Sequence, residues 1–208
     1  MTLSDFLSAF FGSNLIEITA AISGFVCIFL LIKGNIWNFA FGFVQVTLYV
    51  WVFYQAKLYS DAGLHVVYMA LQIYGWWHWS KHLASSTSVS VKSMSYKKLS
   101  VYSLAALLSA GLLGTIMHAY TDASFAYADA FTTCASLIAF ILMTRRYIVN
   151  WLFWIVVDAV AIGVYFQKGL YPTLILYACF LIMAIIGLYS WHKQYKAAAG
   201  TSTQNDIK

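Results

Sequence analysis

The run Asn150-Trp151-Leu152-Phe153-Trp154-Ile155-Val156-Val157-Asp158 places two indoles and one carboxylate in a single apolar segment. At 100° per residue in a helix, Trp151, Trp154 and Asp158 fall within a sector of roughly 60°. Indole faces attract cations and a carboxylate balances one, so this spacing suits a flat, positively charged ring. Asp158 stands about ten residues, or roughly 15 Å, into the segment. A carboxylate at that depth of a bilayer costs at least about 2.5–3.5 kcal/mol, so a partner side chain or a ligand must compensate it. Trp151 taken alone, close behind Arg146, is also what an interfacial aromatic belt supplies.

Further candidates lie in the first half of the chain. Asn38 and Gln45 share one face of an apolar segment, and His65, Tyr68, Gln72 and Trp79 form a polar-aromatic stripe on the next by their i, i+3, i+4 spacing. Gln45 and Gln72 are either ligand contacts or interhelical hydrogen bonds. Asn38 and Asn150 sit at equivalent helix starts, where an amide also satisfies backbone groups. Glu17 and Asp129 stand near helix N-termini, where a negative charge favours the dipole. Cys27, Cys134 and Cys179 fall inside apolar segments and read as small packing residues. The scattered histidines form no His-Glu-x-x-His zinc motif, and no nucleophile stands with a base. The expectation is a protein that is not an enzyme and needs no cofactor or metal.

Positioning these side chains requires a membrane scaffold. Hydrophobic residues make up 62% of the 208 and charged residues 9%, with a mean hydropathy of +0.76. An ordinary globular domain has about a quarter charged residues and is excluded. Segments of spanning length lie near 15–33, 36–55, 61–80, 99–118, 124–144, 148–167 and 170–191. Residues 17–79 align on 129–191 without a gap, pairing Asn38 with Asn150, Gln55 with Gln167, Gly75 with Gly187 and Trp79 with Trp191. A duplicated membrane bundle is the mark of a transporter.

Each repeat has three spans, so two copies share an orientation only if an extra helix recrosses the bilayer. The predicted fold is therefore all-α, with seven transmembrane helices in a three-one-three arrangement of two parallel repeats. Residues 1–14 form an external segment, 15–80 the first repeat, 81–98 a flexible cytoplasmic linker, 99–118 the connector helix, 124–191 the second repeat and 192–208 a cytoplasmic tail whose Ala197–Lys208 stretch reads as flexible like the linker. With Pro172 the one proline, alternating access is expected to rely on rocking of the bundle or on bending around Gly42, Gly75, Gly163 and Gly187. In the first repeat Phe39, Gly42 and Val46 stand where the second has Trp151, Trp154 and Asp158. That predicts one asymmetric pocket with room left at Gly42.

Lys33, Lys81, Lys92, Lys97, Lys98, Arg145, Arg146, Lys193, Lys196 and Lys208 gather on one side of such a bundle, and only Lys57 and Lys168 on the other. The positive-inside rule then places the N-terminus outside and the C-terminus in the cytoplasm. The net charge of +5 is read as topology, and no nucleic-acid partner is implied. A retinal protein is excluded because Lys168 precedes the last span and Lys193 follows it.

The segments Leu142-Met143-Thr144-Arg145-Arg146-Tyr147 and Ile73-Tyr74-Gly75-Trp76, with the tryptophan run closing on Asp158, resemble the Pnu family of bacterial vitamin transporters. The resemblance covers essentially the whole chain. It implies a SWEET-like architecture, a homotrimer in the bacterial inner membrane, and facilitated diffusion of a vitamin that is trapped inside by phosphorylation. It also implies substrate contacts at Trp151, Trp154 and Asp158. Asp158, Gln45 and Gln72 stand where riboside-carrying members have Asn, and Asp is similar to the thiamine-transporting branch. Thiamine is the expected substrate, with nicotinamide riboside the alternative.

Overall fold

The computed structural model describes residues 15–55, 59–85, 91–121, 125–167 and 171–205. The external segment 1–14, Lys57, Lys168 and Lys208 lie outside the described residues. All regular structure among them is helical: α1 Leu15–Ile32, α2 Asn38–Gln55, α3 Tyr59–Ser85, α4 Tyr96–Tyr120, α5 Ala126–Thr144, α6 Asn150–Gln167 and α7 Tyr171–Asn205.

The chain divides into two compact units at residues 89 and 90. In the first, α2 packs against both α1 and α3, and α1 and α3 make no close backbone approach among the described residues. In the second, α4 packs on α5, α5 on α6 and α6 on α7, so α6 is again the middle helix of its triplet. Both α2 and α6 start at asparagine and end at glutamine, 112 residues apart.

Tyr96–Tyr120, Ala126–Thr144, Asn150–Gln167 and Leu174–Ala198 are long and apolar enough to cross a membrane, while Ile18–Ile32 and Asn38–Val52 are shorter apolar stretches. In α3 the polar groups of His65, Gln72, His78 and Lys81 dilute the hydropathy. Lysines near two helix ends fold back over aromatic faces, Lys33 at 4.3 Å from the Phe29 centroid and Lys81 at 4.0 Å from that of Trp77. Such placement keeps the charge at an interface while the stem covers apolar surface.

Two sequence expectations require correction. The linker read as unstructured is helical at both ends, since α3 runs to Ser85 and α4 begins at Tyr96. Between them the Lys92 amide donates to the Arg146 carbonyl at 2.9 Å and the Lys92 carbonyl accepts from Ile148 at 3.0 Å. This pairing is long-range, so no local periodicity announces it. The tail is likewise helical through Asn205, because the Lys193–Ala199 stretch consists mainly of strong helix formers.

Candidate functional site

The turn before α6 aims its first residues. Arg146 has φ 58°, the left-handed value that favours glycine, and Gly34 holds the equivalent position in the first unit with φ 69°. The Arg146 amide donates to Met143 and that of Tyr147 to Leu142, just as Gly34 donates to Leu31 and Asn35 to Leu30. Both are Schellman closures, which satisfy the last carbonyls of a helix. A non-glycine residue persists there only where its surroundings hold it. Arg146 is buried, its Nη2 donates to Gln194 Oε1 at 3.2 Å, and its guanidinium carbon lies 4.9 Å from the Trp191 centroid. Burial lowers its pKa to about 10, which still leaves a cation at neutral pH. In the sequence Arg146 reads as a topology charge and as part of the Leu142–Tyr147 motif, and its alignment with Gly34 is the signal for this turn.

Asn150 opens α6 by donating from Nδ2 to the Tyr147 carbonyl at 2.7 Å, and Asn38 opens α2 by donating to Asn35 at 2.6 Å. Each asparagine leaves its Oδ1 buried without a hydrogen-bond partner. Both amides therefore shape the turn, and each keeps one acceptor in reserve.

Trp151 is 2% exposed and meets Trp191 edge-on at 5.4 Å and 85°. A Cβ on Gly187 would come within 2.6 Å of the Trp151 ring. The first unit repeats this packing with Phe39 on Trp79 at 5.0 Å and 89°, and Gly75 under the Phe39 ring. Trp151 thus occupies a duplicated packing position, although its Nε1 is buried and unpartnered. Gly75 and Gly187 serve close approach of a ring. A Cβ at Gly163 would meet nothing.

Trp154 is half-buried and Asp158 is 4% exposed, one turn apart on α6. Among the described residues no lysine, arginine or histidine pairs with the Asp158 carboxylate. A buried acid in a spanning helix without a fixed counter-charge is a site for a ligand by default.

In the first unit, the room expected at Gly42 is filled by the Gln72 amide, which lies against it, and the Gln72 Oε1 is buried without a partner. Gln45 lies over Gly24, where a Cβ would stand 2.6 Å from Nε2. Tyr68 meets His65 edge-on at 5.7 Å, and His65 in turn lies 5.6 Å from Tyr49. The structure therefore divides the seven candidates into Trp151, Trp154 and Asp158 on α6, and Asn38, Gln45, Tyr68 and Gln72 on α2 and α3.

Residues 14–193 match the family described as nicotinamide mononucleotide transporter. The nicotinamide riboside transporter PnuC of Neisseria mucosa is 30% identical over 192 residues, covering 87% of this chain and 73% of the relative. That of Escherichia coli is 26% identical, covering 85% and 84%. A crystal structure of the vitamin B3 transporter PnuC superposes with a TM-score of 0.75 at 26% identity, covering 92% of this chain and 86% of the other. Thiamine, the substrate expected from Asp158, Gln45 and Gln72, gains no support from these relatives. The physical reason is that a nicotinamide riboside is also a flat cation, so a carboxylate beside an indole does not separate the two.

Proposed function

The chain belongs to the nicotinamide mononucleotide transporter family, and we propose on that basis that it carries nicotinamide riboside across the bacterial inner membrane. The observation that carries this reading is the buried Asp158 carboxylate one turn from Trp154, with no basic partner among the described residues. The pyridinium face stacks on the Trp154 indole, and Asp158 balances its charge or accepts from the ribose hydroxyls. The Trp151 Nε1 and the Asn150 Oδ1 offer a further donor and acceptor on α6, while Asn38, Gln45, Tyr68 and Gln72 are separate polar candidates within the first unit.

A phosphate monoester is disfavoured, since these candidates include one carboxylate and no basic side chain. The transported species is therefore the riboside rather than the mononucleotide, moving by facilitated diffusion and trapped inside by phosphorylation. The N-terminus faces outward and the C-terminus the cytoplasm, in line with the asymmetry of lysine and arginine. The same reading carries the three-one-three SWEET-like arrangement and a homotrimeric assembly.

Titration calorimetry of the purified protein against nicotinamide riboside, nicotinamide mononucleotide and thiamine tests the assignment. The riboside is expected to bind tightest. Tighter binding of either competitor overturns it.

A further inference from the structure

Beside the α5–α6 turn, the second unit holds a cleft of about 440 Å3 whose lining includes Lys97, Lys98, Arg145, Tyr102 and Tyr147, with no acidic side chain. The Arg145 Nη1 reaches the Tyr102 hydroxyl at 3.5 Å. Three cations and two phenols converge there without a carboxylate to neutralise them, which is the donor set of a phosphate site. The first turn of α4 carries no acid, and Ser95 before it makes no side-chain capping bond.

A second cavity of about 330 Å3, almost wholly apolar, runs between α4, α5 and α6 and is lined by Phe131, Val149, Leu152, Phe153 and Val156, among others. The two are neighbours in sequence at two points: Lys98 lines the cleft and Leu99 the groove, while Tyr147 lines the cleft and Val149 the groove. Lys97 and Lys98 open a helix that is long and apolar enough to span, and beyond them Val101, Leu104 and Leu108 are exposed. That sets the charges at the depth of lipid headgroups and the groove at the depth of acyl chains.

We propose that the second unit binds an anionic glycerophospholipid, its phosphodiester held by Lys97, Lys98 and Arg145 with the Tyr102 and Tyr147 hydroxyls, and one acyl chain lying in the groove between α4, α5 and α6. A free phosphate would fill the cleft alone and leave the groove empty. The groove is the reason the occupant is a lipid. This site is independent of the substrate residues on α6, since it uses neither Trp154 nor Asp158.

Native mass spectrometry of the full chain, released from detergent after incubation with phosphatidylglycerol, phosphatidylcholine or inorganic phosphate, reads the site directly. Phosphatidylglycerol is expected to be retained in preference to phosphatidylcholine, with about a five-fold loss for each cation replaced by glutamine, the effect of about 1 kcal/mol per basic residue near a membrane surface. Lys97→Gln, Lys98→Gln and Arg145→Gln are made singly as well as together, so a folding defect in the triple variant leaves the singles to decide. Val156→Trp, at a half-exposed groove position, is expected to reduce retention with the charges intact. Equal retention of the two lipids by the wild-type protein overturns the proposal. So does retention of phosphatidylglycerol undiminished by the charge variants. Full displacement of the lipid by inorganic phosphate, with Val156→Trp silent, overturns the acyl-chain part and leaves a free-phosphate site.

Discussion

The guanidinium of Arg146 stacks 4.9 Å from the centroid of the Trp191 ring while its own backbone holds a left-handed φ of 58°. Two opposing effects therefore meet in one residue. The backbone strain of an L side chain in this region is about 1–2 kcal/mol, and the side chain offsets it through Trp191 and Gln194.

Arg146→Gly and Arg146→Ala lose the same side-chain contacts, but only glycine also releases the strain. Both variants are expected to melt below the wild type, with alanine the less stable by about 1 kcal/mol. Thermal unfolding in detergent measures the difference. Equal melting of the two would mean that the turn relaxes out of the left-handed region and is not held there.

A Cβ on Gly187 intrudes on the Trp151 ring and one on Gly75 on the Phe39 ring, whereas Gly63, Gly111 and Gly163 face open space. Gly75→Ala and Gly187→Ala are each expected to destabilise by about 1–3 kcal/mol through overpacking. Gly111→Ala and Gly163→Ala are expected to be neutral or slightly stabilising, since alanine favours the helix by about 0.5–1 kcal/mol. Melting curves of the four variants side by side are sufficient. A harmless Gly187→Ala would show that the α6–α7 contact is loosely packed.

Much of this was legible in the chain because it was duplicated. The 112-residue offset that aligned Asn38 with Asn150 and Trp79 with Trp191 also aligns the helix ends, the turn geometry and the ring packing. Spacing alone put Trp151, Trp154 and Asp158 on one face, but it could not separate an indole packed on Gly187 from one that is half-buried. That distinction depends on which helix lies opposite, and it was readable only through the Phe39, Gly75 and Trp79 counterparts. The pairing of Lys92 with the Arg146 carbonyl left no trace in periodicity, because a single backbone bridge across distant segments has no side-chain pattern. Substrate choice was the least legible, since both candidate vitamins present a flat cation to the same acid.

Removing the Asp158 charge should move stability and binding in opposite directions. A buried carboxylate without a fixed counter-charge disfavours the folded protein. Asp158→Leu, which removes both the charge and the hydrogen-bonding group, is therefore expected to raise the melting temperature while weakening nicotinamide riboside binding at least about ten-fold, or 1.4 kcal/mol. Trp154→Ala should weaken binding with little change in melting, because its side chain is only half-buried. Calorimetry and unfolding on the same preparations read both quantities. Unchanged affinity in Asp158→Leu, whatever its stability, would remove the acid from the substrate site.

Energy coupling is constrained by the surroundings of Asp158. A proton-driven carrier passes its proton along a chain of titratable groups, whereas residues 154–162 of α6 are otherwise tryptophan, isoleucine, valine and alanine. The acid has no second station on its own helix within a turn in either direction. Flux of nicotinamide riboside in proteoliposomes is therefore expected to follow its own electrochemical gradient alone, with initial rates unchanged by an imposed proton or sodium gradient when the membrane potential is clamped at zero. Counterflow against preloaded riboside should be strong, because an uncoupled carrier exchanges substrate freely across the membrane. Accumulation of unmodified riboside above its external concentration on imposing either ion gradient at zero membrane potential would contradict this, and would make Asp158 a coupling group rather than a counter-charge for the pyridinium.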